Sequence, residues 1–228
     1  MRRFTPVLVA IFLGFSFTAT ALAIDVPLKY QKHPAETEDF YPYGSNGFQV
    51  SLKKPSGDWT FPAFVSDKTL YTLVKIGDTE RLCVLDKQKK DAKFYDRVYF
   101  DSNGNNDLTD DRVLDGTINF YGPNNQYCNV DFPVAVDTKI KIDGKSLPFS
   151  FSPRIFGYML EKLAKSEFDE QSVSRFINVI VSLNCSYTGE FKIGNQKYSV
   201  ILGDTNCNGR FNDRFSVYKF EKPPPGRI

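Results

Sequence analysis

The sequence predicts a mainly β protein, an α+β chain of two related antiparallel β units with one or two short helices between them. Beyond Gly47, short runs alternate apolar and polar residues, which is typical of strands with one buried face. These runs are rich in Val, Ile, Thr, Tyr and Phe and are broken by Gly, Asn, Asp or Pro, the residues of turns. A weak internal repeat indicates that the two units are related.

The first 23 residues predict a cleavable secretory signal peptide. Arg2 and Arg3 precede an apolar run over residues 7–17, and the segment ends in the small-residue sequence Ala-Leu-Ala at 21–23. The apolar run is too short to span a membrane, no later segment predicts a spanning helix, and no cysteine follows the cleavage site to carry a lipid. We therefore expect a secreted or periplasmic protein that is not a lipoprotein.

Nine segments show the alternation expected of strands. They are residues 48–53, 69–76, 81–85, 97–100, 127–136, 139–142, 147–151, 187–193 and 197–202. Asp143-Gly144 and Gly194-Asn195 are turn sequences between two pairs of these strands, which predicts hairpins. If Gly194-Asn195 forms a two-residue turn, Ile193 would pair with Gln196.

A helix is predicted from Pro153 onward. Apolar residues at 155, 156, 159, 160, 163 and 164 recur at helical spacing, and Ser152 is a suitable N-cap. Residues 173–183 are ambiguous, because their apolar residues fit both periods and the β-branched cluster at 179–181 favours a strand.

The internal repeat relates residues 71–85 to residues 187–202. Both copies contain Tyr-Thr, then Lys-Ile-Gly followed by Asp or Asn, then an aliphatic pair, and both lead into an Asp- and Asn-rich loop. We divide the chain into the signal peptide (1–23), a β unit with the first loop (24–143), a helix and hairpin with the second loop (144–222), and a Pro-rich tail (223–228). Two lobes and one continuous sheet system both fit this division.

The charge balance excludes an electrostatic reason to bind nucleic acid or an anionic membrane. The chain has 29 Lys plus Arg and 27 Asp plus Glu, and removal of Arg2 and Arg3 with the signal peptide leaves 27 of each. We expect the partner to be a protein or a glycan, which the sequence does not identify.

The cysteines predict disulfides. Cys83, Cys128, Cys185 and Cys207 form an even set in an exported chain, and none lies in a CxxC pair. The predicted hairpin register places Cys185 about one loop-width from Cys207, so we expect that pair, with Cys83 and Cys128 as the second. Because His33 is the only histidine, a His-ligated metal and a His-assisted nucleophile lack the residues that they need.

Two loops predict a cation site. Both match D-x-N-x-N-[NG]-x-[LF]-x-D after a strand. Calcium takes six to eight oxygen ligands, which a tight loop supplies from side chains at positions 1, 3 and 5, a carbonyl at position 7 and a later carboxylate. The first-loop ligands would be Asp101, Asn103, Asn105, the Asp107 carbonyl and Asp110. The second-loop ligands would be Asp204, Asn206, Asn208, the Arg210 carbonyl and Asp213.

Two further positions fit such a loop. Position 6 requires a residue that tolerates positive φ, and it is Asn106 or Gly209. Position 8, Leu108 or Phe211, is apolar and would anchor the loop to the core. Asp, Asn and Gly also accumulate in ion-free turns, but two loops that match at so many positions favour calcium.

Over about ten residues each, the loops resemble the EF-hand-like calcium loops of dockerins and of thrombospondin type 3 repeats. They depart from an EF-hand at position 12, where Arg112 and Phe215 replace the bidentate Glu, and they lack flanking helices. The resemblance implies a structural or buffering ion of modest affinity, with a dissociation constant on the order of 10⁻⁵ to 10⁻³ M.

These features predict an exported, calcium-binding, β-rich protein with a structural or ligand-binding role and no catalytic activity. One alternative is a glycan-directed hydrolase that uses two carboxylates from Asp58, Glu80, Asp96, Asp131 and Glu190. Another is a calcium-stabilised carbohydrate-binding module with an aromatic platform around Trp59, or around Tyr41 and Tyr43.

Overall fold

The computed structural model describes residues 26–33, 44–158 and 169–211. The predicted signal peptide and Pro-rich tail lie outside these residues. The strands are β1 (Lys29–Lys32), β2 (Ser45–Gln49), β3 (Leu70–Ile76), β4 (Thr79–Asp86), β5 (Arg97–Phe100), β6 (Leu114–Asp115), β7 (Thr117–Tyr121), β8 (Tyr127–Asp131), β9 (Val136–Ile142), β10 (Lys145–Tyr158), β11 (Ile177–Leu183), β12 (Cys185–Ile193) and β13 (Gln196–Leu202). Within the described residues, one α-helix, α1 (Glu170–Phe176), precedes β11, and a 3₁₀ turn covers Pro123–Asn125. The predicted mainly β fold class is confirmed.

The strands form three antiparallel sheets. Sheet A has the order β1-β12-β13, sheet B has the order β2-β11-β10-β8-β7 with β9 also paired to β10, and sheet C has the order β3-β4-β5-β6. The long strand β10 pairs with β9 along its first half and with β8 and β11 along its second half. Strands from both sides of residue 143 therefore lie side by side in sheet B.

Sheet C has a hydrophobic core on each face. The main core lies between sheets B and C, where the rings of Phe100 and Phe151 meet edge to face with centroids 5.1 Å apart. A second core on the other face of sheet C packs Leu82 and Val84 with Trp59 and other aromatic residues. Each fully buried large side chain contributes about 1.5–3 kcal/mol of transfer free energy. Sheet C is thus covered on both sides.

The predicted hairpin turns are confirmed. Asp143 and Gly144 both have positive φ, 48° and 76°, between the paired residues 142 and 145. Gly194 has φ 60° in the turn between β12 and β13. Gly77 has φ 62° in a turn of the same length between β3 and β4. The sequence repeat therefore corresponds to two hairpins with the same two-residue connection.

The helix predicted from Pro153 is wrong over residues 153–158, which continue β10; its remaining residues, 159–164, lie outside the described residues. Apolar residues at 153, 155 and 157 face the core with the period of a strand. Pro153 is tolerated because it pairs only with β11, since β8 ends at Asp131, opposite Arg154. A missing N–H at this position removes no hydrogen bond to β8.

The ambiguous segment 173–183 contains both structures. The first residues belong to α1, which begins after Asp169, whose side chain accepts the Ser172 N–H at 2.8 Å as an N-cap. From Ile177 onward the chain is strand β11, and residues 177, 179, 181 and 183 are buried. The β-branched cluster therefore forms a strand, as its composition favoured.

The predicted disulfides are not formed. All four cysteines lie in the described part of the chain, all are buried, and none is joined to another. The hairpin register is as predicted, but the Cys185 sulfur accepts the Ser150 N–H at 3.4 Å, while Cys207 turns back at φ 47°. Cys83 and Cys128 lie in different sheets. Burial raises the pKa of Cys83 and Cys128 to about 12 and that of Cys185 to about 11.

No helix among the described residues combines the length and the apolar character required to cross a membrane.

Candidate metal centre

The two acidic loops share an unusual backbone path. At position 6, Asn106 has φ 66° and Gly209 has φ 84°, which confirms the predicted positive φ. At position 4, Gly104 and Cys207 are also left-handed, with φ 78° and 47°, a feature that was not predicted. Neither position holds the same residue in both loops. A left-handed Asn or Cys is strained, so the surrounding contacts must maintain these conformations.

The side chains of the first loop fold over its backbone. The Asn105 N–H donates to the carboxylate of Asp101 at 3.2 Å and to the side-chain oxygen of Asn103 at 2.9 Å. The Asp107 N–H donates to the side-chain oxygen of Asn105 at 2.8 Å. The side-chain oxygens at positions 1, 3 and 5 therefore all lie against the N–H groups of the loop.

The second loop repeats this hydrogen-bond pattern. The Asn208 N–H donates to Asp204 at 3.1 Å and to Asn206 at 3.0 Å, and the Arg210 N–H donates to the side-chain oxygen of Asn208 at 2.7 Å. The Gly209 N–H also donates to the second carboxylate oxygen of Asp204 at 2.5 Å. Asp213, the predicted closing ligand, lies outside the described residues.

In the first loop, the structure brings the side chains of positions 3, 5 and 10 together. The Asn105 amide nitrogen lies 2.8 Å from Asp110 Oδ2, and that of Asn103 lies 3.2 Å and 3.3 Å from the two Asp110 oxygens. The Asp107 carboxylate instead accepts from the N–H and hydroxyl of Thr109, and this hydroxyl holds the pKa of Asp107 below its usual value. The Asp110 carboxylate is thus the point where the polar side chains of the loop meet.

Two carboxylate oxygens at the start and the end of the first loop have no hydrogen-bond partner among the described residues. Asp101 is only 1% exposed, and its Oδ2 is buried and unpartnered although Oδ1 accepts two N–H groups. Asp111 accepts the backbone N–H and hydroxyl of Ser102 through Oδ1, while its Oδ2 is also buried and unpartnered. Burial raises the pKa of Asp111, and repulsion from Asp101 and Asp110 adds to the effect. Burying such oxygens without a partner is unfavourable.

Asp111 was not among the predicted ligands. Asp111 directly follows the predicted ligand Asp110. The pair of consecutive acids at the end of the loop is the sequence feature that could have pointed to it.

The first loop is anchored to the second core. The Thr60 N–H donates to the Asn106 carbonyl at 2.9 Å, and the Leu108 N–H donates to the Thr60 carbonyl at 3.0 Å. The Leu108 side chain is 1% exposed. The prediction that position 8 anchors this loop is confirmed, and the loop joins sheet C to the aromatic segment that covers it.

The second loop is anchored to two hairpin turns. The Gly77 N–H donates to the Asn208 carbonyl at 2.6 Å, and the Arg210 guanidinium forms salt bridges with Asp78 at 3.1 Å and Asp143 at 3.7 Å. A Cβ on Gly209 would lie 2.4 Å from the Gly77 nitrogen, so only glycine fits here.

Position 8 of the second loop is also confirmed as an anchor. Phe211 packs against the main core, and its ring contacts Tyr187 and Phe149, with centroid distances of 4.9 Å and 6.3 Å.

Among the described residues, no three acidic, histidine or cysteine side chains are grouped closely enough to hold a metal ion by themselves. A cation in either loop would therefore depend on Asn side-chain oxygens and a backbone carbonyl, as the sequence pattern predicted.

The carboxylates of the hydrolase alternative mostly have structural partners. Asp131 forms a salt bridge with Arg154 at 2.5 Å, and Glu190 forms one with Lys197 at 2.8 Å. Asp96 accepts the Gln88 N–H at 2.7 Å. In these contacts, the three carboxylates stabilise a sheet or a turn.

Trp59, the centre of the proposed aromatic platform, is half-buried: its ring packs against the second core and its N–H donates to the Ser56 carbonyl at 3.1 Å. Tyr41 and Tyr43 lie outside the described residues.

The sequence did not predict the contact of His33 Nε2 with Ser186 Oγ, which are 2.7 Å apart. Ser186 is fully buried, so this pair offers no nucleophile to a substrate in solution.

Comparison of the chain with protein-family models, with curated proteins and with solved structures found no match.

Proposed function

We propose that this is an exported β-rich protein whose two loops bind calcium, and that the ions stabilise its fold. The observation that carries the proposal is the buried carboxylate of Asp101 at the head of the first loop, one oxygen of which has no partner among the described residues. A cation that met this oxygen would offset the free energy that its burial costs.

The donor set favours calcium over softer metals. The first loop offers only oxygen donors, from Asp101, Asn103, Asn105 and Asp110 and from the Asp107 carbonyl. Asp111 adds a second carboxylate oxygen that no described residue contacts by a hydrogen bond. Oxygen donors of this kind suit hard cations, and a flexible loop suits the irregular geometry of calcium better than the strict octahedron of magnesium. The Asn side chains would have to turn their oxygens toward the ion, a rotation that exchanges two groups of similar size.

The positive charge of Arg81, next to the first loop, should lower its affinity for calcium. The Arg81 guanidinium lies against Gly104, and its central carbon is 2.5 Å from the point where a Cβ on this glycine would lie. This fixed charge offsets part of the negative charge of the loop. Together with the neutral ligands at positions 3 and 5, it supports a modest affinity, with a dissociation constant on the order of 10⁻⁵ to 10⁻³ M.

A structural role follows from where the loops are attached. The first loop contacts the segment over the second core through Thr60, and the second loop contacts the turns at Asp78 and Asp143. An ion that fixes either loop would therefore hold elements that are distant in the sequence.

Calorimetric titration of the mature chain, residues 24–228, with calcium tests the proposal, and magnesium is the control. We expect two calcium sites, and a melting temperature that is higher in excess calcium than in excess chelator. No heat of binding together with an unchanged melting temperature would contradict it. The export part is tested separately by the N-terminal sequence of the protein recovered from a bacterial periplasm, which should begin at Ile24.

A further inference from the structure

The outer face of sheet B carries an ordered set of aromatic and amide side chains. Tyr158, Tyr127 and Tyr121 are in direct register across the adjacent strands β10, β8 and β7. The next outward row, two residues along each strand, contains Phe156, Asn129 and Asn119. The intervening residues on β8 and β10 are buried, so both rows face away from the core.

The aromatic side chains of this face contact one another. The rings of Tyr121 and Tyr127 have centroids 5.8 Å apart and planes inclined by 30°, and the Tyr158 ring stands at 87° to that of Tyr127. The Phe156 ring lies 6.4 Å from that of Tyr121. Tyr121 remains 38% exposed. The rings thus form a continuous aromatic surface, and beyond Tyr158 it meets the ring of Phe176 on α1, with centroids 5.7 Å apart.

The charges on this face cancel. The Arg154 guanidinium forms a salt bridge with Asp131 at 2.5 Å, and the Asn119 amide donates to the other Asp131 oxygen at 3.0 Å. The row next to the aromatic residues therefore offers amides and a neutralised ion pair.

We propose that this face binds an uncharged glycan chain that crosses the strands along the tyrosine row. Sugar rings have C–H groups on their faces, which pack against aromatic rings, and hydroxyls at their edges, which both donate and accept hydrogen bonds. A side-chain amide also donates and accepts, so Asn119 and Asn129 match hydroxyls beside the rings. Three strands span about 10 Å, room for about two sugar rings.

The absence of a net charge on these rows selects this occupant over charged ones. An acidic polysaccharide would require unpaired Arg or Lys side chains, and Arg154 is already paired. The inference does not depend on calcium, because none of these side chains belongs to either acidic loop.

The test is depletion of the mature protein from solution by insoluble polysaccharides, followed by affinity electrophoresis in soluble ones. Cellulose, xylan, mannan and starch are the neutral probes, and pectate and alginate are the charged ones. The variants are Tyr121→Ala and Asn129→Ala. Tyr198→Ala is the matched control, because Tyr198 is 39% exposed but lies on β13 of sheet A.

We expect binding to at least one neutral polysaccharide, a loss of affinity of at least tenfold in both sheet B variants, and no change in the control. Circular dichroism and thermal unfolding should show that the variants fold. If Tyr121→Ala does not fold, Asn129→Ala alone still decides the test. The inference is overturned if no neutral polysaccharide binds, if only charged ones bind, or if Tyr198→Ala loses as much affinity. A protein without calcium affinity that still binds a neutral glycan would contradict only the calcium proposal.

Discussion

Replacement of Asp101 by Asn should change stability in opposite directions with and without calcium. In the structure, Oδ1 of Asp101 accepts the N–H groups of Gly104 at 2.8 Å and Asn105 at 3.2 Å, and Oδ2 is buried with no partner in the described part of the chain. Asn keeps one oxygen for these donors and removes the buried charge. In excess chelator, the variant should therefore be at least as stable as the wild type.

The magnitudes follow from two opposing effects. A buried oxygen without a partner costs about 1–3 kcal/mol, and the Asn amide nitrogen that replaces it is also buried, so the gain of Asp101→Asn in chelator should be only a small part of this. At a calcium concentration about 100 times the dissociation constant, one site adds about 2.7 kcal/mol to the free energy of unfolding. For a chain of this length, about 1 kcal/mol changes the melting temperature by about 2–4 °C, so loss of one site should lower it by about 5–10 °C.

Differential scanning calorimetry of the wild type and Asp101→Asn in excess chelator and in excess calcium measures both effects. Asp91→Asn is the control, because Asp91 is an exposed acid outside both loops. An equal loss of melting temperature for Asp101→Asn in the two buffers would refute the reasoning, since it would show that Asp101 acts only through its hydrogen bonds to the loop backbone.

Three further predictions concern the fold. Gly209→Ala should lower the free energy of unfolding by more than 1 kcal/mol, because its Cβ would meet the Gly77 nitrogen at 2.4 Å, whereas Gly144→Ala, at φ 76° in open space, should cost only about 1 kcal/mol of strain; urea unfolding measures both. Burial raises the pKa of Asp96, so the native state holds its proton to higher pH than the unfolded chain, and stability should fall as pH rises from 3.8 through the native pKa. Asp96→Asn should remove that slope in pH-dependent unfolding. The four buried cysteines should resist alkylation at neutral pH until denaturant is added, and mass spectrometry that found rapid labelling would contradict their burial.

Local sequence patterns predicted the hairpins and the loop backbone because both depend on a few adjacent residues. A two-residue turn such as Asp143-Gly144 requires positive φ at fixed positions, and the residues that accept it are few. The same reasoning placed a left-handed residue at Asn106 and Gly209. In these places the conformation is set within about six residues, so one sequence is enough to recognise it.

The predictions failed where distant parts of the chain decide the outcome. The apolar spacing after Ser152 fits a helix, but β8 and β11 offer a sheet on both sides, and Pro153 lies just beyond the end of β8. The edge strands β6 and β7 were missed because pairing with a neighbour, and not their own pattern, defines them. The outer tyrosine row was missed for the same reason, since Tyr121 and Tyr158 come to lie on either side of Tyr127 only through the register of three strands.

The disulfide prediction shows how a correct register can still mislead. Residue 193 pairs with residue 196 as expected, which brings the end of β13 beside the start of β12. The second loop then turns inward, however, and Cys207 is buried in the main core, while the Cys185 sulfur faces the backbone of Ser150. A disulfide requires particular directions of both Cβ atoms as well as proximity, and a sequence register supplies only proximity.

The attachments of the two loops indicate what an ion would stabilise. The backbone of each loop is already held by hydrogen bonds within the loop, so an ion would add little order there. The hydrogen bonds from the loops to the rest of the protein join residues far apart in the sequence, Asn106 to Thr60 in the first loop and Asn208 to Gly77 in the second. Contacts of this kind close large loops of the unfolded chain and are entropically the most costly to form. A cation that fixes the loop side chains would therefore stabilise the packing of hairpins and sheets on one another more than the loops themselves, and hydrogen exchange should show its effect at β3, β4 and the second core rather than at the loop amides alone.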